Sequence, residues 1–444
     1  MSLTIKGYQI KKSDIPNLLQ TKAVLTVKPY IPSVFVKPQY VTKYKVYSED
    51  DEYIYVPKHY GIQTFGDYKT STRNTPKSDA SFWKFQGSIR ESQKEVIKSF
   101  TKDGVISLQT GGGKTVCGLY IASTLQVPTL VLVHNTFLKD QWIERISTFL
   151  PNARVGNVQG DKIDIENRDI VVAMLQSVSM KNYPPNTFAR FGFLIVDECH
   201  HIASESFSQA IPKLTCEHML GLSATPERKD KLMHVINWFL GPILYKSDTS
   251  DKVDEKVLVE VHEFEPPDYA YNDIIYNSSG VMFTSLMINK VVEYEPRNKL
   301  LIELLKDIFE DLDRQILVLT DRVDHTKTLF DLLPTHIQEE SCVLGRNVKA
   351  DQRAEWCSTK RILLATYSMC KEGFDVSTLN TLLIATPRPD VDQIVGRILR
   401  TDKTTRKIDP LIIDVVDPAF RRQFQARNQL YKQRNYVVTK MKVL

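Results

Sequence analysis

The sequence predicts an α/β protein of two parallel-sheet domains in tandem, with a small β-rich domain before them and a basic helical tail after them. Three observations carry this. Ten short apolar, β-branched runs recur between residues 104 and 416, with helical stretches between them. The runs are continuous rather than alternating, as strands buried on both faces of a parallel sheet must be. The first run ends in a Gly-rich loop that leads into a helix, and others end in acidic or hydroxyl residues, at the strand edge where such sheets bind ligands.

The elements follow in order. Residues 1–80 hold 9 of the 19 tyrosines and alternate in stretches such as YVTKYKVYSEDDEYIYVP (40–57), which predicts a small accessory domain of hairpins. Residues 81–246 form the first α/β domain, with strands in GVISLQ (104–109), TLVLV (129–133), IVVAM (170–174), FLIVD (193–197) and HMLGLSA (218–224). KSDTSDKVDEK (246–256) is polar and without apolar periodicity, so the boundary lies there. Residues 247–418 form the second domain. Its strands are KVLVEV (256–261), QILVLT (315–320), RILLAT (361–366), TLLIAT (381–386) and LIIDVV (411–416), with a largely helical stretch at 268–312. Residues 419–444 are the basic helical tail.

Composition excludes several classes. With 444 residues and 42% hydrophobic content, the chain is not disordered throughout. No apolar run approaches the ~18–20 residues that span a bilayer. The N-terminal MSLTIKGYQIKK has no signal-peptide core, so an intracellular protein is expected. The six cysteines are scattered with no Cys-x-x-Cys pair, against a zinc cluster or a disulfide framework. The net charge of +5 is unevenly spread. Residues 1–80 carry 12 basic against 7 acidic residues, and 419–444 carry 7 basic and no acidic ones, so the body between is net acidic. Basic ends of this kind suit a polyanionic partner.

Gln109-Thr110-Gly111-Gly112-Gly113-Lys114-Thr115 follows a buried strand and precedes the apolar helix VCGLYIASTL, the context of a phosphate-binding loop. Glycines let backbone N–H groups close around a phosphate, and the helix N-terminus adds its dipole. Lys114 suits the β/γ-phosphates and Thr115 a magnesium ion. Leu108 stands where the strict pattern has its first Gly.

Asp197 and Glu198 end the FLIVD strand. Asp197 suits a magnesium partner beside Thr115, and Glu198 suits the residue that polarises the attacking water. His200 is placed to sense the phosphate or the other domain. Ser223 and Thr225 end the next strand, where short hydroxyls can report nucleotide state to the acidic loop. In QIVGRILR (393–400), Gln393, Arg397 and Arg400 share one helix face. Two arginines there, with Gly396 allowing close approach, suit a γ-phosphate clamp supplied from outside the first domain.

These segments, taken with ATYSMCKEGFDV (365–376), resemble the ordered motifs of superfamily 2 helicases across roughly residues 85–417. Arg90 and Gln93 in SIRESQ occupy the place of that family's adenine motif. Glu91 and Ser92 replace its Pro-Tyr, so Trp83 or Phe85 is the expected stacking partner. VLVHNTFLKDQW (131–142) and VAMLQSV (172–178) resemble the strand-contacting motifs. They offer Asn135, Thr136, Gln176 and Ser177, and Thr366 belongs to the coupling motif with Gly373 and Asp375. Gly345 and Arg353 fit a further second-domain motif. The box DECH followed by His201, the QxxGRxxR helix and the pair Arg297-Asn298 look most like the branch that holds phage UvsW-type branch-migration helicases, a transcription-repair helicase and proteins of large DNA viruses.

The resemblance implies two RecA-like domains with ATP and Mg2+ in the cleft between them, and a hydrolysis cycle that closes and opens it. It implies a monomer working on single-stranded, forked or branched DNA in replication, recombination or repair, in the host cytoplasm or nucleoid if the source is a phage. A transcript-releasing translocase and an RNA helicase are the alternatives. The intact Lys114, Asp197, Glu198 and Arg397 set argues against a dead ATPase. Tyrosines interleaved with Lys37, Lys43, Lys45 and Lys58, and the arginines of the tail, are the expected duplex contacts.

Overall fold

The computed structural model describes residues 1–30, 41–72, 83–108, 111–184, 186–224, 230–247, 256–278, 280–345, 347–371, 376, 378–398 and 407–443. The chain folds as two compact units, Met1–Ser247 and Asp248–Leu444.

The first unit contains an eight-stranded sheet. Its order is Lys162–Ile163, Val155–Gln159, Ile170–Met174, Thr129–Val133, Phe193–Val196, His218–Ser223, Gly104–Ser107 and Ile243–Lys246. Every neighbour is parallel except the short Lys162–Ile163 strand, which folds back on Val155–Gln159. The apolar runs are continuous because alternate residues enter different cores. Val131, Ile195 and Leu222 pack under the helices Glu91–Ser99, Lys114–Leu125 and Thr136–Phe149, while Leu130, Leu132 and Val196 face the other way.

That second core is shared with the N-terminal residues. They form a five-stranded sheet ordered Ser48–Glu49, Tyr53–Val56, Gly7–Lys11, Ser2–Thr4 and Thr70–Ser71. Two short helices, Leu18–Val24 and Lys58–Phe65, were not foreseen in the alternating sequence. Tyr60 packs edge-on to Trp238 with ring centroids 5.2 Å apart. Lys58 is buried, its Nζ 2.6 Å from Asp103 Oδ2 and 2.7 Å from the Glu217 carbonyl. Lys58 is therefore not a surface contact for nucleic acid, as the sequence suggested, but an ion-pair bolt into the parallel-sheet domain. Burial works to raise the Asp103 pKa, yet His59 and Lys58 outweigh it and hold the carboxyl below its usual range. Removing one partner of a buried pair leaves the other charge stranded. Lys58→Met is expected to cost about 3–5 kcal/mol, read as a lower denaturation midpoint and faster proteolysis of residues 1–72.

The second unit has a seven-stranded, all-parallel sheet ordered Ser341–Val343, Ile362–Thr366, Ile316–Thr320, Thr381–Ile384, Leu411–Val416, Leu258–Phe264 and Val437–Val443. Alternate strand residues again enter two cores. Both units thus have the RecA-like α/β form. The helix of the C-terminal tail is Arg421–Gln433, and beyond it Val437–Val443 adds an edge strand along Leu258–Phe264. Four of the tail's basic residues are ion-paired within the unit: Arg421 with Glu265, Arg427 with Asp414, Arg434 with Asp392 and Lys440 with Glu263. Part of the tail is thus built into the unit, and four of the charges that suggested a duplex footprint are paired there. Among the described residues, no helix is long and apolar enough to cross a membrane.

Candidate active site

The strand Gly104–Ser107 is buried throughout, and Leu108 N–H donates to the Ser223 carbonyl at 3.0 Å. The loop therefore leaves the sheet beside the end of the His218–Ser223 strand. Gly111 and Gly113 have φ of 82° and 83°, and the helix Lys114–Leu125 starts directly after them. Gly113 is also crowded: a Cβ there would lie 2.1 Å from Gln93 Nε2. Gln93 is buried, and its Oε1 accepts from the Arg90 N–H at 3.0 Å. The structure thus brings Gln93 against the phosphate loop, with the Arg90 side chain exposed beside it. Gly113→Ala should strain the backbone by about 1–3 kcal/mol and displace Gln93. The expected result is weaker binding of a fluorescent ATP analogue at little change in fold.

The expected adenine-stacking residues are otherwise engaged. Trp83 is 1% exposed within the core, and Phe85 stacks on Phe149 at 5.3 Å and meets Tyr120 edge-on. Trp83 is buried in the core rather than at an open face where a base could stack, which corrects that expectation for Trp83.

The acidic strand end lies near the loop because Phe193–Val196 is separated from Gly104–Ser107 only by His218–Ser223, all three parallel. Lys114 Nζ lies 3.1 Å from Glu198 Oε1. Asp197 Oδ2 accepts from the Trp142 indole N–H at 2.8 Å and Oδ1 from the Glu198 N–H at 3.0 Å. Glu198 has the left-handed backbone angles φ 45° and ψ 53°, rare for a residue with a side chain and the kind of strain that gathers at functional sites. Burial and the neighbouring Glu198 charge push Asp197 up to about 6. Burial also works to raise Glu198, but Lys114 and His200 outweigh it and hold the carboxyl far below its usual range. The two neighbouring acids are driven apart, one poised to protonate and one firmly ionised.

His200 Nδ1 lies 3.4 Å from Glu198 Oε2 and 3.3 Å from Ser223 Oγ, so His200 and Ser223 meet at the acidic loop. The His201 ring lies between those of His200 and His134, centroids 4.3 and 4.1 Å away and each tilted by 35°. Trp142, His134 and His201 carried no role in the sequence reading. The Trp142–Asp197 and His134–His201 contacts join residues far apart along the chain, and only the fold brings them together.

The donor set fits Mg2+. Thr115 offers a hydroxyl in the first turn after the loop, and Asp197 a buried carboxylate in a locally acidic pocket. Glu198 Oε2 is buried, with the His200 ring 3.4 Å away. Thr115 and Asp197 would hold the ion, with phosphate and water oxygens as its other ligands.

The proposed strand contacts divide. Thr136 is exposed at the first turn of its helix. Asn135 caps that helix, its Oδ1 accepting from the Leu138 N–H at 2.8 Å. Gln176 Nε2 donates to the His134 carbonyl, and Ser177 Oγ accepts from the Gly160 N–H at 2.8 Å. Asn135, Gln176 and Ser177 therefore brace the loops between strands as well as edging them. In the second unit Thr366 Oγ1 lies 3.0 Å from Ser368 Oγ, and Arg353 reaches the carbonyls of Val348 at 3.0 Å and Gly345 at 3.5 Å. Gln109, Thr110, Thr225, Gly373, Asp375 and Arg400, with the side chains of Gln393 and Arg397, lie outside the described residues.

Residues 86–228 match the family described as type III restriction enzyme, res subunit. A provisionally named ATP-dependent RNA helicase of Acanthamoeba polyphaga mimivirus is 30% identical, covering 99% of this chain and 86% of its own. A provisionally named helicase of invertebrate iridescent virus 6 is 25% identical over 81% of this chain and 84% of its own. One of African swine fever virus, provisionally named an ATP-dependent RNA helicase, is 24% identical over 88% and 81%. Among solved structures, the crystal structure of T4 UvsW is similar over 96% of this chain and 95% of that one, with 18% identity and a TM-score of 0.35.

Proposed function

We propose, for a chain that belongs to the ATP-dependent superfamily 2 helicases, that hydrolysis is coupled to movement along DNA and to the remodelling of forked or branched DNA. The observation that carries hydrolysis is the Lys114–Glu198 contact beside Asp197 at the ends of two parallel strands. Lys114 would bind phosphate, Asp197 and Thr115 would hold Mg2+, and Glu198 would take a proton from the attacking water. When bound, Mg2+ would neutralise charge on the phosphates. His200, between Glu198 and Ser223, is placed to pass the state of the site to the neighbouring strand end. The DNA reading rests on the resemblance of the DECHH box and the QIVGRILR segment to the branch-migration branch.

RNA is the second reading, favoured by the name ATP-dependent RNA helicase carried by two viral relatives. The test is the ATPase rate with single-stranded DNA, fork, four-way junction, duplex and RNA side by side. Strongest stimulation by fork or junction is expected. Stimulation by RNA above every DNA would replace the DNA reading.

A further inference from the structure

The strand Thr381–Ile384 and the helix Asp392–Ile398 are joined by residues 385–391. That joint is tied down at nearly every turn. Arg297 Nη1 donates to the Ala385 carbonyl at 2.6 Å, Tyr367 Oη to the Thr386 carbonyl at 2.7 Å, and Arg427 Nη1 to the Arg388 carbonyl at 2.6 Å. The Arg388 guanidinium lies 4.6 Å from the Tyr367 ring centroid and 3.5 Å from Asp321. Arg434 Nη2 donates to Asp392 Oδ1 at 2.9 Å, at the first residue of the helix.

The two arginines that grip carbonyls are themselves fixed. Arg427 makes a two-pronged pair with Asp414, Nε at 2.8 Å and Nη2 at 2.7 Å, and neither side chain is exposed. Tyr431 Oη donates to the same carboxylate at 2.9 Å. Arg297 repeats the pattern on Asp417, at 2.6 and 3.0 Å, with Tyr271 Oη donating at 2.6 Å. Burying such pairs is costly and seldom adds stability over apolar packing. What an arginine offers is a planar fork whose remaining N–H is aimed once the carboxylate holds the other two. Here both aimed groups point at the same segment.

We infer that the C-terminal helix Arg421–Gln433 and the residue that follows it form a brace for the helix Asp392–Ile398, with Arg427 and Arg434 as positioning residues for hydrolysis. This rests on the reading of Arg397 in that helix as the arginine that meets the γ-phosphate. A helix of a few turns takes its direction from what packs on it and leads into it more than from its own propensity. A reacting group displaced by about 1 Å can lose on the order of a hundredfold in rate. The brace sets the direction from which Arg397 is presented, and through it the basic tail contributes to turnover.

The experiment uses the full chain and nucleic-acid-stimulated ATPase. Arg434→Ala should lower kcat about tenfold with ATP affinity unchanged, and Arg434→Lys, which keeps the charge on Asp392, should retain most of it. Arg427→Lys keeps a buried charge but loses the fork, and should lose at least as much turnover. If that variant does not fold, the Arg434 series decides alone. In an Arg397→Ala background, Arg434→Ala should cost nothing further, whereas a merely structural role would cost the same in both. Wild-type kcat in Arg434→Ala, or an equal loss in both backgrounds, overturns the brace while Arg397→Ala still lowers turnover. Wild-type kcat in Arg397→Ala overturns the reading beneath it and the brace together.

Discussion

Glu198→Gln is expected to lower ATP turnover by about 10²–10⁴ while ATP binding stays intact or tightens. The amide fills the same space, so the strained turn at 198 and its contacts can persist, but the group no longer takes a proton. The Lys114 ammonium, 3.1 Å from Glu198 Oε1, loses its negative partner and is freer to meet phosphate. Lys114→Ala has the opposite signature, with affinity lost first. A second consequence concerns Asp197, which burial and then the Glu198 charge push up to about 6. In the wild type, Asp197 takes up a proton as pH falls through about 6, and Mg2+ affinity should fall with it. In Glu198→Gln one cause of the elevation is gone, so that loss should move to lower pH. Analogue binding and single-turnover hydrolysis at two pH values, with Mg2+ titrated, measure all of this. A wild-type hydrolysis rate in Glu198→Gln would remove the water-polarising role.

What was legible in the sequence was what repeats locally. The runs at 129–133, 170–174 and 193–197 are strands because both faces are buried, and continuous apolar sequence leaves few other options. Lys114, Asp197 and Glu198 were legible because their strands and loops announce them. The strand Val155–Gln159 was not, because VGNVQ mixes glycine and polar residues with its valines. Nor was Val437–Val443, whose VVTKMKV reads as a basic tail until Leu258–Phe264 is found beside it. Charge misled for a similar reason. Counting shows a surplus at each end, but Arg434 finds its acid 42 residues away and Arg421 156 residues away. Trp142, the donor to Asp197, is 55 residues from it and has no local signature. Composition reports charge, and only tertiary structure reports which charges remain unpaired.

Arg397→Ala is expected to lower turnover by about 10³–10⁵ with nucleotide binding nearly intact, as for an arginine that meets charge developing on the transferred phosphoryl group. That loss corresponds to about 4–7 kcal/mol of transition-state stabilisation. The asymmetry between binding and turnover is the informative part. A cation that served the ground state would lower affinity and rate together, while one realised only as the γ-phosphate leaves lowers kcat alone. Arg397→Lys separates charge from geometry: a lysine supplies a positive point but not a planar fork, so it should recover only part of the loss. The position matters as much as the residue. Arg397 sits in the helix Asp392–Ile398, which follows the joint whose carbonyls at 385, 386 and 388 are each bonded. Such a joint resists small rotations, so loosening it should resemble a weakened Arg397 rather than a weakened nucleotide loop. Stopped-flow binding of an ATP analogue with single-turnover hydrolysis, for Arg397→Ala and Arg397→Lys, makes the distinction. Lost binding with turnover per bound ATP unchanged would assign the helix face to ground-state binding and leave the γ-phosphate clamp to other residues.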